Sequence, residues 1–175
     1  MIVRVSDPIV VVEYDPQWPS EFARLRDRAQ AAVGEVARSI EHVGSTAVPG
    51  LAAKPVIDLV VVVESDDDVP EAIRRLEAVG YVARGDLGVP GREAFSWPEG
   101  EVRHHLYVSP ETSDELRAQL RFRDRLRTDP VLAREYQALK RDLAERYRDD
   151  RPGYTDAKTD FIEAALLSEP AESCD

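Results

Sequence analysis

Cysteine is almost absent from this sequence: one residue, Cys174, stands in an acidic C-terminal stretch, so no internal disulfide can staple the fold. Long apolar runs are lacking too. The longest wholly apolar stretch, Leu59 to Val63, is a fraction of the roughly 20 residues that a membrane-spanning helix needs. The first residues, Met1-Ile-Val-Arg-Val-Ser-Asp, show no basic start followed by an apolar core, so no secretory leader is expected and the chain is read as cytoplasmic, without a membrane partner. Positive charge is also scarce, with 34 acids against 23 Lys and Arg and a formal net charge of −11. Sequence-independent binding to nucleic acid draws its affinity from counterions displaced around phosphates, so this balance argues against a nucleic-acid partner. Small anions are not excluded, because a local group of Lys and Arg can hold phosphate on a globally acidic protein. No internal repeat, linker or low-complexity segment interrupts the chain.

What is present suits a folded protein. Hydrophobic residues make up 43% and charged residues 33% of 175 positions, which fits one globular domain over 1–168 followed by a flexible acidic tail at 169–175. Ile9 to Tyr14 is rich in β-branched residues and predicts a short strand ending at Asp15-Pro16. Trp18, Phe22, Leu25, Ala29 and Val33 recur at helical spacing and predict a helix that stops near Gly34. Val36 to Val43 reads as a strand, and Val56 to Val63 as a stronger one whose unbroken apolar run implies burial on both faces. A helix is predicted from Asp68, capped by an Asp68–Glu71 box and ended by Gly80. Tyr81 to Arg84, Ala94 to Trp97 and Val102 to Val108 then read as strands of a mixed sheet. Thr112 with Glu115 predicts another capping box, opening a helix to about Arg127, and Asp129-Pro130 opens the next. Pro152-Gly153 is expected to break that helix before a last one over about 156–167. The fold class is α+β: a mixed β-sheet with flanking helices and a C-terminal helical segment.

The chemistry centres on one loop and one acid. Gly44-Ser45 follows a strand, where a glycine lets backbone N–H groups turn toward a bound phosphate; an ordinary tight turn is the plainer reading. Asp58 lies inside the apolar strand. A buried carboxylate is costly unless paired, so it marks either a site or a strand end where loop amides satisfy it. Nucleotidyltransferases present an apolar-Gly-Ser loop and then a strand with two acids spaced by two, which share Mg²⁺. Val43-Gly44-Ser45 and Asp58 fit that spacing, but Val60 occupies the place of the second acid, which two-metal phosphoryl transfer requires. Asp58 is therefore the expected metal-binding and catalytic carboxylate, with Mg²⁺ as the candidate cofactor. His104 is the expected catalytic imidazole, or His42 in its stead, acting as a general base if the chemistry is not nucleotidyl transfer. Side chains alternate along a strand, so His104 and His105 should face opposite sides. Lys54, Arg92, Arg103 and Lys158 are the cations expected around an anionic ligand, and Trp18 and Tyr154 are candidate pocket walls.

Taken together, the segments Tyr14-Asp-Pro-Gln-Trp18, His42-Val-Gly-Ser-Thr-Ala-Val-Pro-Gly-Leu-Ala-Ala-Lys-Pro-Val-Ile-Asp-Leu59, Gly88-Val-Pro-Gly-Arg92, Arg103-His-His-Leu106, Phe122-Arg-Asp124 and Tyr154-Thr-Asp-Ala-Lys158 resemble the GrpB family. The resemblance runs from about Val10 to Leu167. It implies a nucleotidyltransferase-like fold and a likeness to the domain fused to the C-terminal side of some bacterial dephospho-CoA kinases, for which a folding-accessory role has been suggested. Carried over by position, the ligand-binding set it implies is His42, Gly44, Ser45, Thr46, Lys54, Arg92, Arg103, His105, Tyr154 and Lys158, beside Asp58 and His104. The ligand implied is a nucleotide or another anionic small molecule. Relatives commonly read His-His-Leu-His where this chain ends in Tyr107, and a tyrosine titrates far too high to replace an imidazole near neutrality.

Overall fold

The computed structural model describes residues 8–168. Five strands form one mixed sheet: β1 (Ala37–Val43), β2 (Ile57–Val63), β3 (Val82–Ala83), β4 (Glu93–Ser96) and β5 (His104–Pro110), in the order β1-β2-β5-β4-β3. Only β2 and β5 run parallel; the other neighbours are antiparallel. The register sets Val43 opposite Asp58, and Asp58 beside His105.

Alternation along β2 divides its side chains between two cores. Leu59, Val61 and Val63 join Leu106 and Val108 of β5 beneath two helices, α1 (Trp18–Val33) and α2 (Val69–Glu77), which contribute Leu25, Ala29, Val33, Ala72 and Leu76. Each such aliphatic side chain withdrawn from water stabilises the fold by about 2 kcal/mol. On the other face Val60 and Val62 pack with Val43 and with Leu116 of α3 (Asp114–Thr128). Beyond α3 lie α4 (Pro130–Arg146), α5 (Arg151–Asp156) and α6 (Thr159–Leu167). Phe122, Tyr136 and Phe161 tie α3, α4 and α6 together through ring contacts of 5.0 and 5.4 Å. Among the described residues no helix is long and apolar enough to cross a membrane.

Several local expectations shift. Ile9 to Tyr14 forms one isolated bridge, Val12 to Ala53, because no strand lies alongside it; Ile9 instead packs on Leu143 and Tyr154. The capping box before α2 is Ser65 with Asp68, one turn earlier than expected, since Glu71 is engaged by Arg74 and Arg75. Ser113, not Thr112, caps α3 by accepting from Leu116 N, while Glu115 accepts from Gln119. Pro152-Gly153 does not break a helix but sits in the first turn of α5, where proline lacks nothing the helix needs and Asp150 accepts from Gly153 N. The expected last helix is divided between α5 and α6. Cys174 and the tail at 169–175 lie outside the described residues.

Asp129 caps α4 as its sequence predicts, accepting from both Val131 N and Leu132 N at 3.0 Å. Asp129→Ala should cost about 1 kcal/mol, read as a lower midpoint of urea unfolding with an unchanged slope.

Candidate functional site

β1 ends at Val43, and the chain reverses at Gly44 with φ 72 and ψ −175, a conformation essentially restricted to glycine. The opposing strand makes this restriction absolute: a Cβ on Gly44 would stand 2.5 Å from Asp58 Oδ2. Loop and carboxylate therefore meet. Ser45–Ala47 follows as a 3₁₀ turn, closed by Ala47 N donating to Gly44 O and clamped by Arg127, whose guanidinium donates twice to Ala47 O at 2.8 and 3.0 Å. Ser45 lies near the buried hydroxyl of Tyr136 from α4.

Across β2, His105 Nδ1 lies 2.6 Å from Asp58 Oδ1, forming a carboxylate–imidazole pair in which both side chains are partly exposed. His104 turns away. It is fully buried on the opposite face, its Nδ1 donating to Val102 O at 2.8 Å and its Nε2 accepting from Tyr81 OH at 2.9 Å. His104, the expected catalytic imidazole, thus lies in the core, and the imidazole beside Asp58 is His105, because successive residues of a strand face opposite sides of the sheet. His42 is likewise drawn out of the cleft: it stacks on Phe22 of α1 at 4.4 Å and its Nε2 meets Thr46 Oγ1 at 2.9 Å. Thr46 is buried and used up in holding that ring.

Burial pushes His42 down to about 4, with Arg127 and Arg123 adding to the effect and Asp58 opposing it, and burial lowers His104 as well. Both folded-state values lie below the unfolded one of about 6.5, so the unfolded chain binds protons first as pH falls. The stability these neutral rings contribute is complete above pH 6.5 and is lost toward about pH 4. Urea unfolding should show a fall on the order of 2 kcal/mol across that window, allowing for screening of the half-buried His42 ring. His42→Leu should flatten part of that slope.

The cleft encloses about 500 Å³ between the sheet, α3 and α6. Gly44, Ser45, Asp58, Arg92, Tyr107 and Lys158 line it together, with Arg123 at its edge and Phe122 and Ile162 as apolar walls. Arg92 lies over the Tyr107 ring at 4.6 Å, and burial raises Tyr107 to about 12, so this phenol stays neutral and serves as a platform for the guanidinium. Lys54 and Lys158 flank the buried Tyr154 ring at 5.2 and 4.5 Å. Lys54 and Arg103 do not line the cleft; Arg103 lies over Trp97 at 5.9 Å, and Lys54 feels the opposing charges of Asp58 and Arg103. Trp18 is core, in edge contact with Tyr14. Tyr136, Arg123, Glu115 and Glu163 reach the cleft without having been expected there. They come from helix faces whose orientation only packing sets, although Phe122-Arg-Asp124 had marked the right helix.

The family model described as GrpB protein matches residues 8–167. The chain belongs to the GrpB family. It is 38% identical to the UPF0157 protein BH1888 of Halalkalibacterium halodurans, over 90% of this chain and 80% of that one. It is also 31% identical to YqkA of Bacillus subtilis over 90% of this chain, but spans 46% of that protein's length. A dephospho-CoA kinase of Mycolicibacterium paratuberculosis matches at 31% identity over 90% of this chain and 45% of its own. Among solved structures, conserved protein GrpB from Enterococcus faecalis superposes with a TM-score of 0.79 at 33% identity, covering 89% of this chain and 94% of that one. The MgGTP-bound Cid1 poly(U) polymerase superposes at 0.51 and 16% identity over 78% of this chain and 45% of that one, a likeness of fold alone. The fold is therefore nucleotidyltransferase-like.

In this GrpB domain the side chains do not fit a two-metal centre. Val60, where a second acid would stand, is 1% exposed and packed against α3, and its partner across β5 is Tyr107. One Asp58 oxygen is engaged by His105 and the other faces Gly44. Among the described residues no three His, Cys, Asp or Glu side chains gather where they could hold a metal ion. What the arrangement can do is present positive charge to a ligand: Arg92, Arg123 and Lys158 line the same cleft as the Gly44–Ser45 turn, beside the acids Asp58, Glu115 and Glu163.

Proposed function

We propose that the cleft binds a phosphate-containing or otherwise anionic small molecule, such as a nucleotide, on a nucleotidyltransferase-like scaffold whose two-metal transfer chemistry has been lost. The supporting observation is the convergence of the Gly44–Ser45 turn, Arg92 and Lys158 on one cleft in which Val60 replaces the second acid. Arg92, lying over the Tyr107 ring, offers a planar fork suited to two phosphate oxygens, while Lys158 adds a point charge from the residue that precedes α6. Asp58, paired with His105, acts as a positioning group for the loop.

Calorimetric titration with nucleoside triphosphates, with and without Mg²⁺, tests this. Arg92→Ala and Lys158→Gln should each weaken binding about tenfold or more, equivalent to roughly 1.4 kcal/mol, with the fold intact. Binding unaffected by both variants sinks the reading, and Asp58-dependent nucleotide transfer in a turnover assay sinks its second half. A second reading, an accessory module without a ligand of its own, draws support from the match to a kinase more than twice this chain's span. Co-expression with such a kinase separates the two, since an accessory role raises the folded kinase yield irrespective of Arg92 and Lys158.

A further inference from the structure

Lys140 is the least expected side chain in the molecule. It is 2% exposed, in the middle of α4, yet it carries an amine whose ionised form is expensive to bury without a counter-charge. The contacts it makes are neutral: its Nζ donates to Ala52 O, and the amine lies 4.9 Å from the centre of the Tyr136 ring. The charged groups that act on it, Lys158, Arg141 and Lys54, are all cations. Its position is behind the cleft. Tyr136 forms part of the cleft lining near Ser45, and Ala52 lies just beyond the loop that begins at Gly44, so Lys140 joins the cleft lining to the far end of that loop.

Lys54 and Lys158 complete the picture from the next ring, Tyr154, which they flank. Three lysines are thus grouped around two buried tyrosines under one wall of the cleft. Asp58 is the acid that acts on Lys54 and Lys158, and it already holds His105; Arg103 and Arg151 add further positive charge beside Lys54. Asp58 is thus shared among Lys54, Lys158 and His105, the charged groups acting on Lys140 are cations, and Glu115 and Glu163 are the further acids that line the cleft.

We propose that Lys54, Lys140 and Lys158 form a cationic triad whose missing counter-charge is supplied by a ligand group carrying at least two negative charges, as in a phosphomonoester or pyrophosphate, and that the triad takes up protons when that group binds. This deepens, and rests on, the anion-binding reading of the cleft. Burial and mutual repulsion hold Lys140 down at about 7 and Lys158 at about 8, so both amines are partly neutral near pH 7.5 and have protons to gain from a nearby dianion.

Sulfate is the probe, because its charge does not change between pH 6 and 9, with dimethyl phosphate as the singly charged comparison. Calorimetry in two buffers of different ionisation enthalpy should show uptake of about one proton per sulfate at pH 7.5, and affinity should fall roughly a hundredfold from pH 6.5 to 8.5. Dimethyl phosphate should bind at least tenfold more weakly. Lys140→Arg, which keeps the charge permanently, should retain sulfate affinity and lose most of the proton uptake. Should that variant fail to fold, the ¹³Cε resonance of Lys140 in the unaltered protein gives the answer, since it must shift toward the ammonium form on adding sulfate at pH 7.5. Sulfate binding without proton uptake, or a Lys140 resonance that does not move, overturns the triad. Nucleotide binding that depends on Arg92 while sulfate does not bind overturns the triad and leaves the anion-binding reading standing; no binding of either removes both.

Discussion

Gly44→Ala should be among the most damaging single substitutions in this protein, lowering stability by about 3 kcal/mol and removing ligand binding from whatever still folds. Two costs add at that position. The backbone conformation, φ 72 with ψ −175, charges a side-chain-bearing residue about 1–3 kcal/mol. The new methyl group would also meet Asp58 Oδ2 at 2.5 Å, and that carboxylate cannot easily retreat, because His105 holds its other oxygen at 2.6 Å. For a domain of this size 3 kcal/mol corresponds to a drop in Tm of about 6–12 °C, readily seen by calorimetry. Ser45→Ala, one residue on, should change Tm by far less, which separates loss of the turn from loss of a polar group. A Gly44→Ala protein as stable as the parent would show that the turn and the carboxylate do not meet as described.

Val60→Asp is the second large effect, and it sets two lines of reasoning against each other. By the strand pattern alone, an acid at position 60 restores the pair that nucleotidyl transfer requires. The packing says otherwise: Val60 is 1% exposed among Val43, Val62 and Leu116, so the new carboxylate would be buried without a partner. Leaving a buried charge uncompensated costs about 3–5 kcal/mol, and in practice the acid stays protonated with a strongly raised pKa. The expected result is a protein with a markedly lower unfolding midpoint at pH 8, partly recovered at pH 5, and with no nucleotide transfer at either. Full stability together with Mg²⁺-dependent transfer would mean that α3 moves aside and that the transfer chemistry is one substitution away.

The elements read most easily in the sequence were those whose stabilisation is local or periodic. The helical spacing of Trp18, Leu25, Ala29 and Val33 fixed α1, the β-branched run fixed β2, and Asp129-Pro130 fixed the start of α4. The strand signal of Ile9 to Tyr14 misled because a strand needs a neighbour and only Val12 found one. Capping was misplaced where two acceptors competed within a turn, as with Thr112 and Ser113, since the choice depends on how the preceding strand delivers the chain. At the site, the proximity of Gly44, Ser45 and Asp58 was legible from spacing. The choice between His104 and His105 was not, because alternation says that the two diverge but not which face the cleft will occupy.

The sequence by itself determined that a glycine turn and an acidic strand residue would be neighbours, that the acid would lack its usual second carboxylate, and that the chain would form a mixed sheet with a helical C-terminal part. Those properties follow from residue types and short spacings, which the backbone cannot easily override. Only the tertiary structure decided which imidazole meets Asp58, that Val60 is covered by α3, and that Lys140 of α4 lies beneath a cleft built by other elements. Each of these depends on which face of the sheet the C-terminal helices cover, a choice made by the burial of many side chains at once.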